Sequence, residues 1–489
     1  MSASGQHVQQ KVNRGLAWIG AAQTLISVLD IVTVLLILKF FVSREDFGIQ
    51  SLAYTLYPVF DIAADLGVSA ALIQRDDHTP AKLSTVFWFN VLLSLALFGA
   101  LCVIGPALGA YHGHPVIGTL MIAYGGKLII QNVYSIPMTL MKKQLRFPEL
   151  SVIRVVSNLV EAVVKVTLAA LGLTIWCFTL AALSRVVTTA FLCQLRHPWR
   201  PQLVFRPREA ADYARFGLRT SASGMLYQLY TNLDYQVVGH FFGASALGVY
   251  KLAYEIVLDP VKIISNVVTE VAFPAFARMR HDAVQLREQF IAFMRMNLVT
   301  VLPFVALILL VVDDFVIVST SRDWLGAAPA ARLLCAVGVL RALSFVCPPL
   351  LDGVGKPQLT LRYMVVAAIA LTGSYIGFAI GLGPRLGYLS VAWAWVVGYP
   401  VAFAVLLTMT LAQLELSAWT LLRRIGGLVV SAGIATALGG VVAWVLRPHL
   451  PPLLHMIATA VVLLGVLGLL LAYWQGISPR SVGKSMSAK

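Results

Sequence analysis

The chain has 489 residues, of which 59% are hydrophobic and only 12% charged, and it carries a formal net charge of +15 at a mean hydropathy of +0.82. Soluble globular chains are about a quarter charged, so this composition excludes a soluble enzyme and indicates a polytopic membrane protein. The basic surplus is spread over short segments between apolar runs, as membrane topology alone produces, and no nucleic-acid partner is expected.

The polar N-terminus, MSASGQHVQQKVNRG, shows no small-residue cleavage site, so the first apolar run is expected to be a retained span. Crossing the hydrocarbon core takes about 20 apolar residues. Runs of that length lie at 15–41, 51–73, 83–108, 116–141, 149–171, 175–194, 213–240, 247–272, 295–318, 328–351, 361–382, 388–412, 425–446 and 453–474, about fourteen in all. Gly and Pro inside long apolar runs suit helices, not the short alternating strands of a barrel. The predicted fold class is therefore an all-α polytopic membrane protein. Lys142, Lys143, Arg196, Arg200, Arg278, Arg280, Arg423 and Arg424 share one side of this span map, and few basic residues fall on the other. That bias places both termini in the cytoplasm.

The longest polar segments are Gln194–Asp212 and Arg278–Phe293. The first divides the map into an N-terminal six-helix lobe (1–194), a cytoplasmic basic linker (195–212) and a C-terminal six-helix lobe (213–413). Two extra helices and a tail occupy 414–489. A repeat agrees with two related lobes. FVSREDFGIQSLAY (Phe41–Tyr54) and FFGASALGVYKLAY (Phe241–Tyr254) match at Phe41/Phe241, Gly48/Gly248, Leu52/Leu252, Ala53/Ala253 and Tyr54/Tyr254 at one constant offset. Repeats of this kind mark transporters built from two bundles.

Ionisable residues inside spans cost about 2.5–3.5 kcal/mol each on insertion, so each is a functional candidate. In span order, with the amides that share their faces, they are Gln23 and Asp30; Asp61 and Asp65; Lys127 and Gln131; Arg154, Asn158, Glu161 and Lys165; Arg185; Asn232, Asp234 and Gln236; Lys251, Glu255, Asp259, Lys262, Asn266 and Glu270; and Arg341 with Asp352. The steps of three and four from Arg154 to Lys165, in the fifth span, and from Lys251 to Glu270, in the eighth, put each set on one helical stripe. Glu161–Lys165 and Lys251–Glu255 have the spacing of neutralising pairs. Stripes on several helices together require a shared polar interior. Lys127, Arg154, Lys165, Arg185, Lys262 and Arg341 would make it attractive to an anion, and Asp30, Asp61, Asp65, Asp234, Glu255 and Asp259 are candidates for ion or proton coupling. Lys39, Asp313 and Asp314 lie near span ends and are expected to snorkel to the interface. Pro58 and Pro260 fall at nearly equivalent places in the two copies and are expected to bend their helices. The five cysteines lie in apolar runs without metal spacing and read as core filling. No metal site, nucleophile elbow or phosphate-binding loop is present in usable context.

FVSREDFGIQSLAY, FDIAADLGVSAALIQRD (Phe60–Asp76), MKKQLRFPELSVIR (Met141–Arg154), YTNLDYQVVGHFFGASALGVYKLAY (Tyr230–Tyr254) and AFPAFAR (Ala272–Arg278) together resemble the Wzx-like flippases of the multidrug/oligosaccharidyl-lipid/polysaccharide exporter superfamily. The resemblance covers almost the whole chain and thins beyond residue 360. It implies two six-helix lobes in a V-shaped arrangement, a bacterial inner-membrane location, and transfer of an undecaprenyl-pyrophosphate-linked glycan between leaflets for capsule, exopolysaccharide or O-antigen. It implies alternating access driven by an ion gradient (H+ or Na+) or the membrane potential, with no other cofactor and no catalytic residue. A polysaccharide polymerase or other export machinery would be a partner. Arg154, Lys165 and Lys262 are the first candidates for the pyrophosphate, with Asn158, Tyr227 and Tyr230 for sugar; Asp65 and Asp234 suit coupling or a structural role equally. A drug/cation antiporter of the same fold would need a cavity of acids and aromatics with few cations. A membrane polymerase or ligase would need a sizeable catalytic loop on the outer side, where this chain has only short ones.

Overall fold

The computed structural model describes residues 3–65 and 79–475. The end of the second expected span, 66–73, and the basic tail from 476 onward lie outside the described residues. Among the described residues every regular element is a helix, as expected where no water is available to satisfy backbone groups. Nine helices among them are long and apolar enough to cross a membrane, or ten if one bent pair is a single span; the chain is a multi-pass membrane protein. It divides into two compact units, residues 1–248 and 249–489.

The first unit holds α1 (Ala3–Phe40), α2 (Arg44–Thr55), α3 (Tyr57–Asp65), α4 (Pro80–Tyr111), α5 (Val116–Ile130), α6 (Asn132–Lys143), α7 (Phe147–Ala170), α8 (Trp176–Arg196) and the first arm of α9 (Pro207–Met279). Its main packings are α4 on α5, α7 on α8, and α1 on α7. α7 falls outside the apolar set because Arg154, Glu161 and Lys165 crowd its length. α5 and α6 form the bent pair, turning by 46° at Gln131. Asn132 Nδ2 donates to the carbonyls of Leu128 (3.0 Å) and Ile129 (3.3 Å) at that bend. One turn on, Pro137 has no N–H to offer Val133; Gln194 Nε2 of α8 donates to that carbonyl instead, at 2.9 Å.

The expected basic linker is only partly a connector. Gln202 donates its N–H to Ser84 Oγ at 2.9 Å, and its carbonyl accepts from Trp88 Nε1 at 2.9 Å. The Trp199 ring packs on Leu83, Val86 and Ile136. The segment is thus strapped to α4 and α6 before α9 begins.

The repeat has a structural counterpart inside the first unit. Ser43 caps α2 by accepting from the Asp46 N–H (3.1 Å). At the matching position α9 breaks at Gly243, whose φ of +83° favours glycine. A side chain on Gly48 would overlap the carbonyl oxygen of Ala244, and one on Gly248 would overlap that of Arg44. Residues 44 and 48 therefore contact 248 and 244 reciprocally, the signature of a local two-fold. The prolines do not follow this symmetry. Pro58 sits where α2 gives way to α3, whereas Pro260 lies inside continuous α9.

The second unit contains the rest of α9, α10 (Ala283–Ser319), a 3₁₀ turn (Arg322–Trp324), α11 (Ala327–Phe345), α12 (Cys347–Gly353), α13 (Pro357–Gly381), α14 (Gly383–Leu386), α15 (Leu389–Leu414), α16 (Ala418–Leu446) and α17 (Pro452–Gln475). Trp395, Tyr375 and Tyr399 fill its core with ring centroids 5.5–5.7 Å apart. The hairpin of α16 and α17 packs on α10. There the snorkelling expected of Asp314 is corrected, since it is 7% exposed. Asp314 Oδ2 is 2.6 Å from His455 Nδ1, and His455 Nε2 is 2.9 Å from the Ala443 carbonyl. Asp313 Oδ2 accepts from Arg332 (2.6 Å) and Arg447 (2.9 Å). Folding α11 and the hairpin onto α10 supplies partners that no span map contains.

Candidate functional site

Six helices of the first unit line an open cavity of about 360 Å³. α1 contributes Gln23, Ile26 and Asp30, whose steps of three and four lie on one helical face. α3 contributes Tyr57 and Asp61. Lys127, Gln131, Tyr134 and Met138 come from the α5/α6 bend, Arg154 and Asn158 from α7, and Arg185, Val186 and Thr189 from α8. The bend at Gln131 matters here, because it turns residues on both sides of it toward one space.

The charges fall into two sets. Glu161, buried behind the lining, forms ion pairs with Lys165 at 3.5 Å and with Arg185 at 3.2 Å. One carboxylate thus answers two cations. Lys127 is 3% exposed, and its Nζ lies 4.3 Å from the Tyr57 ring centroid and 5.5 Å from that of Tyr124. Aromatic faces stabilise such a cation but do not neutralise it. Arg154 lines the same space. Of the two acids, Asp61 accepts from the Tyr57 hydroxyl at 2.8 Å, and Asp30 faces the cavity from α1. Asn158 Nδ2 donates to the Arg154 carbonyl at 2.8 Å, while its Oδ1 is buried without a hydrogen-bond partner among the described residues. Amides, a carboxylate and tyrosine hydroxyls beside two cations can receive a ligand that carries both negative charge and hydroxyl groups.

Of the fifteen residues singled out from the sequence, Asp30, Asp61, Lys127, Arg154, Asn158 and Arg185 meet in this cavity, and Lys165 joins it through Glu161. Asp65 closes α3 away from the lining. Asp234 is fully buried and accepts from the Tyr235 N–H (2.9 Å). Tyr227 and Tyr230 pack edge to face at 5.6 Å within α9, and neither lines the cavity. The second unit holds the rest. Lys251 Nζ lies 3.3 Å from Glu255 and 3.8 Å from Asp259, so the expected i,i+4 pair is present with a third member. Lys262 is half-buried on the same arm of α9. Arg341 is 3% exposed, donates to the Tyr254 hydroxyl at 2.6 Å, and sits 5.4 Å from the Trp395 ring centroid.

Tyr57, Tyr134 and Thr189 line the cavity and were not candidates on sequence. For Tyr57 a signal existed, since it precedes Asp61 by one helical turn. For the other two there was none beyond their place near a polar neighbour.

Comparison with known proteins follows the same direction. The polysaccharide biosynthesis protein family matches residues 37–329. The chain is 31% identical over 355 residues to the teichuronic acid biosynthesis protein TuaB of Bacillus subtilis (strain 168), covering 70% of this chain and 71% of that one. It is 26% identical over 456 residues to the lipopolysaccharide biosynthesis protein WzxC of Escherichia coli (strain K12), covering 89% and 90%. Its fold resembles the lipid II flippase MurJ in an inward closed conformation, with a TM-score of 0.72 at 14% identity over 93% of this chain and 98% of that one. The resemblance read from the short motifs is therefore borne out, and the chain belongs to the polysaccharide biosynthesis protein family.

Proposed function

We propose that this protein is a flippase that moves an undecaprenyl-pyrophosphate-linked oligosaccharide across the bacterial inner membrane for surface polysaccharide export. The observation that carries the reading is the pair of cations, Lys127 and Arg154, facing a polar cavity in which Glu161 already serves Lys165 and Arg185. A pyrophosphate matches them in charge, and the tyrosines and amides suit sugar hydroxyls. Membership of the family and the names of TuaB and WzxC support a glycan cargo. In this reading the chain crosses the membrane fourteen times with both termini inside. Two related six-helix lobes alternate access, and the last two helices guide the lipid. Asp30 couples a proton or sodium ion in this reading, supported by its position on the cavity lining. A membrane potential negative inside also favours outward movement of an anionic headgroup, by about 2.3 kcal/mol per charge per 100 mV.

The test is genetic. Deleting the gene is expected to leave lipid-linked repeat units in the inner leaflet and to abolish surface polymer. Lys127→Ala and Arg154→Ala, at normal protein level, are each expected to cut complementation at least about tenfold, the consequence of losing one charge-assisted contact of roughly 1.5–3 kcal/mol. Normal surface polymer in the deletion strain would refute the proposal. Drug/cation antiport is the second reading, favoured by Asp30 and Asp61 beside Tyr57 and Tyr134; it predicts dye accumulation in the deletion strain with surface polymer intact.

A further inference from the structure

Tyr57 is engaged at both ends of its side chain. Its ring face meets Lys127 Nζ at 4.3 Å, and its hydroxyl donates to Asp61 Oδ1 at 2.8 Å. The ring is held in turn by Tyr54 and Tyr124, at centroid distances of 5.7 and 5.3 Å, and Gln50 Nε2 donates to the Tyr124 hydroxyl. Asp61 and Lys127 line the same cavity, yet no ion pair joins them, and among the described residues no carboxylate lies within ion-pair distance of Lys127.

That separation runs against elementary electrostatics. Opposite charges lining one cavity attract, and a lysine stem is flexible enough to reach a neighbour. Two contacts oppose the collapse. The phenol donates to the carboxylate, which stabilises its charge without a cation. The electron-rich ring face holds the ammonium from another direction. One side chain, placed a single turn before Asp61, makes both contacts.

We infer that Tyr57 is a positioning residue of the anion site: it holds Asp61 and Lys127 apart, so that the ammonium is available to a phosphate of the cargo. The identity of that cargo rests on the flippase reading; the separation of the charges does not. In the absence of Tyr57 the cavity neutralises itself, and an incoming phosphate must first break a Lys127–Asp61 pair.

The test is a four-protein series of the full chain, purified in detergent and titrated calorimetrically with inorganic pyrophosphate, with export complementation measured in parallel. Tyr57→Phe keeps the ring and removes the donor, and is expected to weaken pyrophosphate binding about tenfold. Asp61→Asn removes the competing carboxylate and is expected to bind at least as tightly as the wild type. The double variant Tyr57→Phe/Asp61→Asn is expected to recover to within about threefold of wild type, and export with it. A role in packing alone predicts no such rescue. The inference is overturned if Tyr57→Phe binds like the wild type, if the double variant is as weak as Tyr57→Phe, if Asp61→Asn alone abolishes binding, or if Tyr57→Phe does not accumulate as folded protein. Normal surface polymer in the deletion strain would sink the cargo reading instead, and the binding series would still decide the role of Tyr57.

Discussion

Replacing His455 by alanine tests how the last two helices are attached. His455 and Asp314 are 2% and 7% exposed, and both imidazole nitrogens face oxygen, one on Asp314 and one on the Ala443 carbonyl. The Ala443 carbonyl can only accept, so the imidazole meets it as a donor through Nε2, while Nδ1 faces the Asp314 carboxylate. His455→Ala strands a buried carboxylate and a carbonyl. Breaking a buried pair from one side costs about 3–5 kcal/mol, whereas replacing both members by apolar residues is often neutral. The double variant Asp314→Leu/His455→Leu should therefore be more stable than either single change. Asp313→Asn, whose arginine partners are 40% and 57% exposed, should cost less than about 1 kcal/mol. Thermal unfolding of the purified proteins in one detergent gives the order. A His455→Ala midpoint equal to wild type, or a double variant below the single, would refute the reasoning.

Two further outcomes follow from the first unit. Gly48→Ala and Gly248→Ala should each sharply lower the yield of folded protein, since the added carbon meets backbone that cannot rotate away, whereas Gly126→Ala, with nothing within 4 Å, should be neutral. Combining the first two should add little, because one substitution already parts the shared crossing; additive losses on a thermal-shift assay would count against a reciprocal contact. His112, just past the end of α4, has its pKa lowered from the usual histidine value, chiefly by burial, with smaller contributions in the same direction from His240 and His114 and an opposing one from its bond to Gln236. Its Nε2 pairs with Gln236 Oε1 at 2.9 Å, and its buried Nδ1 has no acceptor for a second proton. The folded protein thus holds His112 neutral, so its contribution to stability is present above about pH 6.5 and is lost as pH falls below that value. Melting curves between pH 5 and 8 should show this loss in the wild type and a flatter profile in His112→Gln.

Much of the candidate site was legible because charge inside an apolar run is conspicuous and helical spacing is rigid. Arg154, Asn158, Glu161 and Lys165 lie on one face whatever surrounds them, so their stripe survived intact. Lys262, Glu255 and Asp259 read equally well as a stripe but line the second arm of α9, not this cavity. Spacing says which residues share a face and nothing about what that face meets. Tyr57 went unnoticed for the converse reason: a tyrosine in an apolar run carries no charge to draw attention, and its role appears only once Lys127 is folded over its ring.

What the sequence by itself determined here is local or cumulative: the apolar runs, the helical stripes, the repeat at constant offset and the family. Each depends on chain-adjacent chemistry or on a solvent that rejects unsatisfied backbone. Only the tertiary structure decided the pairings. Which carboxylate answers which cation, that Gly48 and Gly248 meet across a two-fold, and that Asp314 finds His455 well over a hundred residues later depend on how helices pack. Helices in a bilayer are selected for packing by close contact and internal hydrogen bonds, because lipid tails are as apolar as leucine. Hydropathy is therefore silent about which helices become neighbours, and on those neighbours the site depends.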